Sequence, residues 1–439
     1  MNGEPQTSAV ERVESAIEKI RADNDRLCIV TALDTDGAMR AASESDARHA
    51  AGAALGPLDG QTLAIKDNIA VADMPWTAGL GAWRDRTAGT ESPVVARLRA
   101  AGAIPLAMVN MHEGALGATT DNPHYGRTRN PLDPERTPGG SSGGSAAAIA
   151  AGFTDVALGS DTMGSVRIPA AYCGLTGLKP TRGLVPRTGT THLSPTLDAI
   201  GPLARDVATL RELILVMAGP DRGDPLSVGL PQDWHSRRPD ADLARLCIGV
   251  PKQIGEVDCE PQILGGLEQS KSGLAHLGCT VVDIDLEGWS PGHARRGGLL
   301  VAEAEGAVEL AEALAQPGPE AVSDELRALM DYGRALTSDR LTAGYIRIQQ
   351  AAAAAARAFS EVDVILMPTA PQRAFPHDVP APANQADFTS LANFYGGPAL
   401  AVPVPADGLP ASVQLVGRPF AEPMLMTLGA DLQALVAAN

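Results

Sequence analysis

Two glycine-rich stretches and one early lysine hold the residue types that could carry out acyl chemistry. TPGGSSGGSAAAIAAG, residues 137–152, sets Ser141, Ser142 and Ser145 among four glycines and then runs into alanine. ALGSDTMGSVRIPAAYCG, residues 157–174, carries Ser165. A serine hydroxyl becomes a useful nucleophile only when a neighbouring base takes its proton. GGSSG and GSSGG both satisfy the G-x-S-x-G elbow, which needs a strand before the turn and a late catalytic histidine. Here TRNPLDPERTP precedes the glycines with three prolines, and the last histidine, His377, sits in a proline-rich segment. A phosphate cradle is also excluded, since no Gly-Lys-Ser/Thr follows and no GxGxxG follows a strand. Nor does a flexible Gly/Ser linker usually lead into an alanine-rich helix.

The remaining base is a lysine, because Ser–Lys pairs are an established variant of the nucleophile–base arrangement. Only Lys19, Lys66, Lys179, Lys252 and Lys271 occur, and none lies in an S-x-x-K pattern. Of these, Lys66 alone closes a strand-like apolar run, in TLAIKDN. A lone lysine there ordinarily snorkels to water. Burial instead disfavours its charged form and turns it into a base.

The segments AIKDN, GGSSGGSAAAIAAG and GSDTMGSVRIPAAYCG occur in that order. SPTLDAIGPLARDV, VDVILMPTAP, GGPALAVPVP and ASVQLVGRP follow. Together, from about residue 58 onward, they closely resemble the amidase signature family. The resemblance implies that Ser165 is the nucleophile and that Ser141, preceded by a cis peptide bond, is the relay serine. It makes Lys66 the base. The backbone N–H groups of Thr162, Met163, Gly164 and Ser165 would form the oxyanion hole. Ser142 would hydrogen-bond in the lysine region, and Asp161 with Arg167 would form an ion pair that holds the turn. The family usually has glycine where Met163 stands. Its backbone donor survives if φ is negative, and the side chain then packs inward or narrows the site.

The implied activity is hydrolysis of the C–N bond of small uncharged amides, with anilides, esters and carbamates (urethanes) in reach. Two alternatives stay open: the glutamine-hydrolysing A subunit of a tRNA-dependent amidotransferase, and a linear urea or biuret-type amidohydrolase. The amidotransferase subunit typically has Gln after the motif arginine, where this chain has Ile168. Arg327 and Arg334 give no clean match to its substrate arginine. A catalytically idle binding protein is disfavoured by the intact Lys66, Ser141 and Ser165. Aromatic residues are only 3% of the chain, and Trp76, Trp83, Phe394 and Tyr395 are the candidates near a substrate, each expected to pack in the core or a lid rather than to clamp it. Gly-rich residues 77–85 are expected to be mobile near the entrance, and Met163 with Gly/Ala-rich surroundings suggests an apolar pocket.

The elements that must position these groups read as α/β layering. Ala9–Leu27 is an amphipathic helix, and residues 63–65 form a buried strand with Lys66 at its end. SPVVARLRAAG is a helix stopped at Gly102 and followed by a strand, a rhythm that recurs through GLEQSKSGLAHLGCTVVDID. The alanine tract 351–356 lies inside one long helix, followed by a strand over 362–367, a loop opened by Pro368 and an exposed stretch over 371–384. Residues 221–240 read as polar connection. The expected architecture is a single α/β amidase signature domain, a large twisted mixed sheet covered by helices on both faces. N-terminal helices would occupy about 1–57 and the catalytic core would begin near 58.

The 439 residues are 44% hydrophobic and carry a formal charge of −17. This argues against a nucleic-acid partner and suits a small-molecule amide or carbamate. Five scattered cysteines without a CxxC spacing fit a reducing compartment and no zinc site, so no metal or cofactor is expected. No leader or membrane-length apolar run occurs, which places the chain in the cytoplasm, as a monomer or homodimer.

Overall fold

A computed structural model describes residues 7–234 and 243–437. Thirteen strands occur among them: β1 Val30–Leu33, β2 Thr62–Lys66, β3 Ile104–Val109, β4 Asp121–Asn122, β5 Gly126–Arg127, β6 Val156–Asp161 and β7 Thr176–Lys179. They continue with β8 Ala199–Ala204, β9 Cys247–Pro251, β10 Thr280–Ile284, β11 Val364–Pro368, β12 Ala399–Val404 and β13 Ala411–Gly417. Eleven make one sheet in the order β1-β3-β2-β6-β8-β7-β12-β13-β11-β9-β10, and β4 with β5 form a small separate ribbon. Parallel pairs join β3, β2 and β6 at one end and β11, β9 and β10 at the other, with antiparallel pairs between. The fold is a single α/β domain with this mixed sheet flanked by helices, as the sequence leads one to expect.

The helices before the sheet's midpoint are α1 Ala9–Leu27, α2 Thr35–Ala50, α3 Pro93–Ala100, α4 Gly143–Ala150, α5 Arg167–Tyr172 and α6 Val207–Met217. Later ones are α7 Pro261–His276, α8 Pro291–Glu309, α9 Ala311–Leu314, α10 Asp324–Arg334, α11 Ser338–Ala358, α12 Ser390–Tyr395 and α13 Glu422–Ala437. α1 carries a full capping box between Ser8 and Glu11, which satisfies two of its orphan N–H groups. The alanine tract lies within α11, as read.

Three expectations need correction. The N-terminal segment is not purely helical, because β1 pairs with β3 at the sheet edge. Pro368 ends β11 rather than opening a loop, since its place opposite Val413 on β13 keeps it in the ladder. The segment 371–384 is exposed only in its second half. Pro371, Gln372, Ala374 and Phe375 are buried, held by the Thr137 N–H on Phe375 O and by Arg136 on Ala374 O. Residues 235–240 of the polar connection lie outside the described residues.

Alternation along the central strands divides the core. Leu63 and Ile65 of β2, with Val156 and Leu158 of β6, enter one hydrophobic cluster. Ala64 and Ala157 enter another, shared with Ala146–Ile149 of α4. Side chains two apart on a strand share a face. Lys66 therefore falls on the face of Ala64, the side on which α4 begins.

Candidate active site

Lys66 is completely buried at the C-terminal end of β2. Its Nζ donates to Ser141 Oγ at 2.7 Å and to Ser160 Oγ at 2.8 Å, with Ser160 O at 3.4 Å. Burial drives its pKa down from 10.5 to about 7, against the pull of Asp198 and Asp161. Near neutral pH the lysine therefore divides between its charged and neutral forms, where a general base must sit.

Ser141 and Ser142 stand at the entry to α4, and the Gly140–Ser141 peptide bond is cis. Gly140 has no room for a side chain, since a Cβ would stand 2.7 Å from Thr119 N. Ser142 Oγ donates to Ser160 O at 3.1 Å, and its N–H reaches Ser165 O at 3.1 Å. It thus holds Ser160 against the lysine rather than touching Lys66 itself. Asn68 also donates to Ser160 Oγ, at 3.1 Å.

The turn after β6 is organised by one carboxylate. Asp161 accepts from the N–H groups of Gly164 and Val166 and from two nitrogens of Arg167. Burial works to raise its pKa, but the charge and hydrogen bonds of Arg167, helped by Asn393, hold it near 2. Arg167 is wholly buried and reaches Thr389 O, Gln414 Oε1 and Asn393 Oδ1 at 2.6–2.8 Å.

This wiring changes one expectation about the turn. The Gly164 N–H is not free to meet a substrate oxygen, because Asp161 Oδ1 takes it at 2.7 Å. The N–H groups of Thr162, Met163 and Ser165 have no acceptor among the described residues. Met163 keeps a negative φ, so its donor is not lost to backbone strain. Its carbonyl accepts from Thr389 Oγ1 at 2.6 Å, and its sulfur lies beside Gly298 and Phe394. The side chain packs inward while still lining the cavity. Gly164 is the residue that must be glycine, with φ +135 and a Cβ position only 2.3 Å from Thr389 Oγ1.

Ser165 opens onto a cavity of about 670 Å³ together with Gly140, Thr162 and Met163. Its hydroxyl makes no hydrogen bond to Ser141 or to any other described residue. Of the intended relay, the structure therefore contains the Lys66–Ser141 link and leaves the Ser165 rotor free.

The cavity walls draw on residues that the sequence did not single out for them. Trp76, Trp83, Phe394 and Tyr395 do not line it, whereas Phe375 and His377 from the proline-rich segment do. Trp76 instead stacks on Arg86 and donates to Asn68 O. Thr77–Leu80 and Trp83 are buried, with Asp67 holding the Thr77 N–H and hydroxyl, Arg84 and Asp85 are exposed, and none of residues 77–85 lines it. Nor is the lining simply apolar, since Arg295, Glu303, Glu325, Asp121 and His112 take part. Arg327 caps the carbonyls of Leu314 and Gln316, and Arg334 that of Ala307. Neither lines the cavity.

Sequence reasoning passed over Ser160, although it lies inside the quoted GSDT, because a serine preceding an aspartate carries no mark of its own. Asp198, which accepts from Thr162 Oγ1 at 2.6 Å, and the distant Thr389, Asn393 and Gln414 give no local signal.

Comparison with known proteins places nearly the whole chain in one family. The family model described as Amidase matches residues 11–426. The A subunit of a glutamyl-tRNA(Gln) amidotransferase from Chloroflexus aurantiacus is 36% identical, covering 98% of this chain and 93% of the relative. A structure described as an unexpected vestigial protein complex, revealing the evolutionary origins of an s-triazine catabolic enzyme, superposes with TM-score 0.89. It is 30% identical and covers 98% of this chain and 96% of its own. The native peptide amidase of Stenotrophomonas maltophilia superposes with TM-score 0.84 at 28% identity, covering 98% and 94%. Fold and sequence agree along nearly the whole length, and the chain belongs to the amidase signature family of amidohydrolases.

Proposed function

We propose that the chain hydrolyses small amides, and with them aryl carbamates, through an acyl-enzyme on Ser165. The observation that carries this reading is the 2.7 Å contact between Ser141 and a buried lysine with a pKa of about 7. Rotation of its free hydroxyl lets Ser165 give its proton to Ser141 as Ser141 gives its own to neutral Lys66. Ser165 Oγ then attacks the carbonyl carbon. The negative oxygen that develops is received by the N–H groups of Thr162, Met163 and Ser165, the form of stabilisation that is often the largest catalytic contribution. Lys66 returns the proton through Ser141 to the departing amine. Water then gives a proton through Ser141 to Lys66 and attacks the acyl carbon, and the acyl–Oγ bond breaks as that proton returns to Ser165. For an aryl carbamate the phenol leaves first and takes the proton that Lys66 returns, and the carbamic acid that water then frees from Ser165 loses carbon dioxide.

A second reading, a glutamine-hydrolysing subunit, is favoured by the name of the Chloroflexus relative. Against it stand Ile168 and the engagement of Arg327 and Arg334 on helix carbonyls, which leaves neither for a glutamine carboxylate. Arg295 lines the cavity but is paired with Asp387. The two readings part on one assay of the purified chain alone, with a p-nitroanilide, an aryl carbamate and glutamine. Cleavage of the anilide or carbamate without partner protein or ATP supports free-standing hydrolysis. Hydrolysis of glutamine alone, and only with copurified subunits, overturns it.

A further inference from the structure

Helix α8 presents Arg295, Leu299 and Glu303 to the cavity at four-residue spacing, one stripe of the helix. At 1.5 Å per residue the two charged ends lie about 12 Å apart, with leucine between them. The arginine end is complete, because Arg295 Nε donates to Asp387 Oδ1 at 2.5 Å. The glutamate end is not. Glu303 is only 8% exposed, yet no described residue donates to its carboxyl group. Burial alone pushes its pKa up to about 7, and no neighbouring charge contributes. Its oxygens open onto the cavity, and a carboxylate so largely withdrawn from bulk water is stabilised by a partner that brings N–H groups.

The rest of the cavity indicates the sign of that partner. Glu325, in the first turn of α10, also lines it, as does Asp121, which is paired with Arg127. His112 adds no positive charge near neutral pH, since burial holds its pKa down to about 4. Burial and nearby arginines likewise lower that of His377. Among the described lining residues the one permanent cation is therefore Arg295, already engaged.

We propose that Glu303 selects amides carrying a protonated amine away from the scissile carbonyl, and that this ammonium group is its missing partner. The proposal rests on the Ser165 reading for the location of the scissile carbonyl. It replaces the expectation of an uncharged substrate, which assumed an apolar pocket. A hydrogen bond to a charged group stabilises by about 1.5–3 kcal/mol, which corresponds to an affinity gain of roughly tenfold to a hundredfold.

Binding separates this proposal from the catalytic one. In a Ser165→Ala protein, calorimetry would compare 4-aminobutanamide with pentanamide and 6-aminohexanamide with heptanamide, each pair differing by ammonium against methyl. At least one amine should bind about tenfold or more tightly than its partner. Adding Glu303→Gln, which keeps the shape, should abolish that preference while the alkanamides bind as before, showing that the fold is intact. Equal affinities, no measurable binding of the amines, or a preference that survives Glu303→Gln would overturn it. The Ser165 reading is judged separately, by whether Ser165→Ala abolishes hydrolysis.

Discussion

A base that is protonated in water becomes useful only where the charged form is penalised, and Lys66 meets that condition by complete burial. Its pKa lies below the ordinary value, so the neutral form gains as pH rises. Turnover should therefore climb through about pH 7 and stay high in the mildly alkaline range, as a pH profile of kcat/KM on an anilide would record. A maximum near about pH 5 would point to a carboxylate base instead. Ser160 Oγ is an acceptor for the charged lysine, so Ser160→Ala should lower the pKa further and move the rising limb to more acidic pH. Loss of positioning should cut kcat by roughly tenfold or more. Ser165→Ala, Ser141→Ala and Lys66→Ala should each lower kcat by several orders of magnitude. A double variant should be little worse than a single one, because groups acting as a unit are not additive. Single-turnover rates across the set test this directly.

Among the elements, the turn between β6 and α5 matters most, and its shape depends on Asp161 and Arg167. Both are fully buried, and the guanidinium also reaches a carbonyl and two side-chain amides. Removing one partner strands the other charge, at a cost of about 3–5 kcal/mol. Arg167→Met should therefore lower the unfolding free energy by that order, measured by urea titration, and kcat should fall with it because the turn loses its frame. A stable and fully active variant would contradict this account. Much of the element pattern was legible in the residues: α1 from its periodicity, β2 from its apolar run, and the pairing of Asp161 with Arg167 from the motif. The cavity wall was not. Residues 371–375 look like a surface loop because prolines and few charges usually mark one, yet Phe375 faces the substrate space. Glu303 carries no mark in the sequence, since its burial depends on the packing of α8 against α10 and other distant elements.

For the whole molecule, the proposed proton transfer calls only on Lys66 and Ser141, and no group of three metal-ligating side chains comes together among the described residues. Dialysis against a strong chelator should leave the hydrolytic rate unchanged, and activity restored by zinc would refute that. No helix among the described residues is long and apolar enough to cross a membrane. The order of the chain has a further consequence. Lys66, Ser141 and Ser165 all lie in the first half, but the guanidinium that frames the nucleophile's turn is anchored by Thr389, Asn393 and Gln414. A ribosome that has translated all three reactive residues has still not made the anchors. On the Ser165 reading the nascent chain should be inert until its last strand emerges, and a product terminated early should carry Lys66, Ser141 and Ser165 without hydrolysing amides.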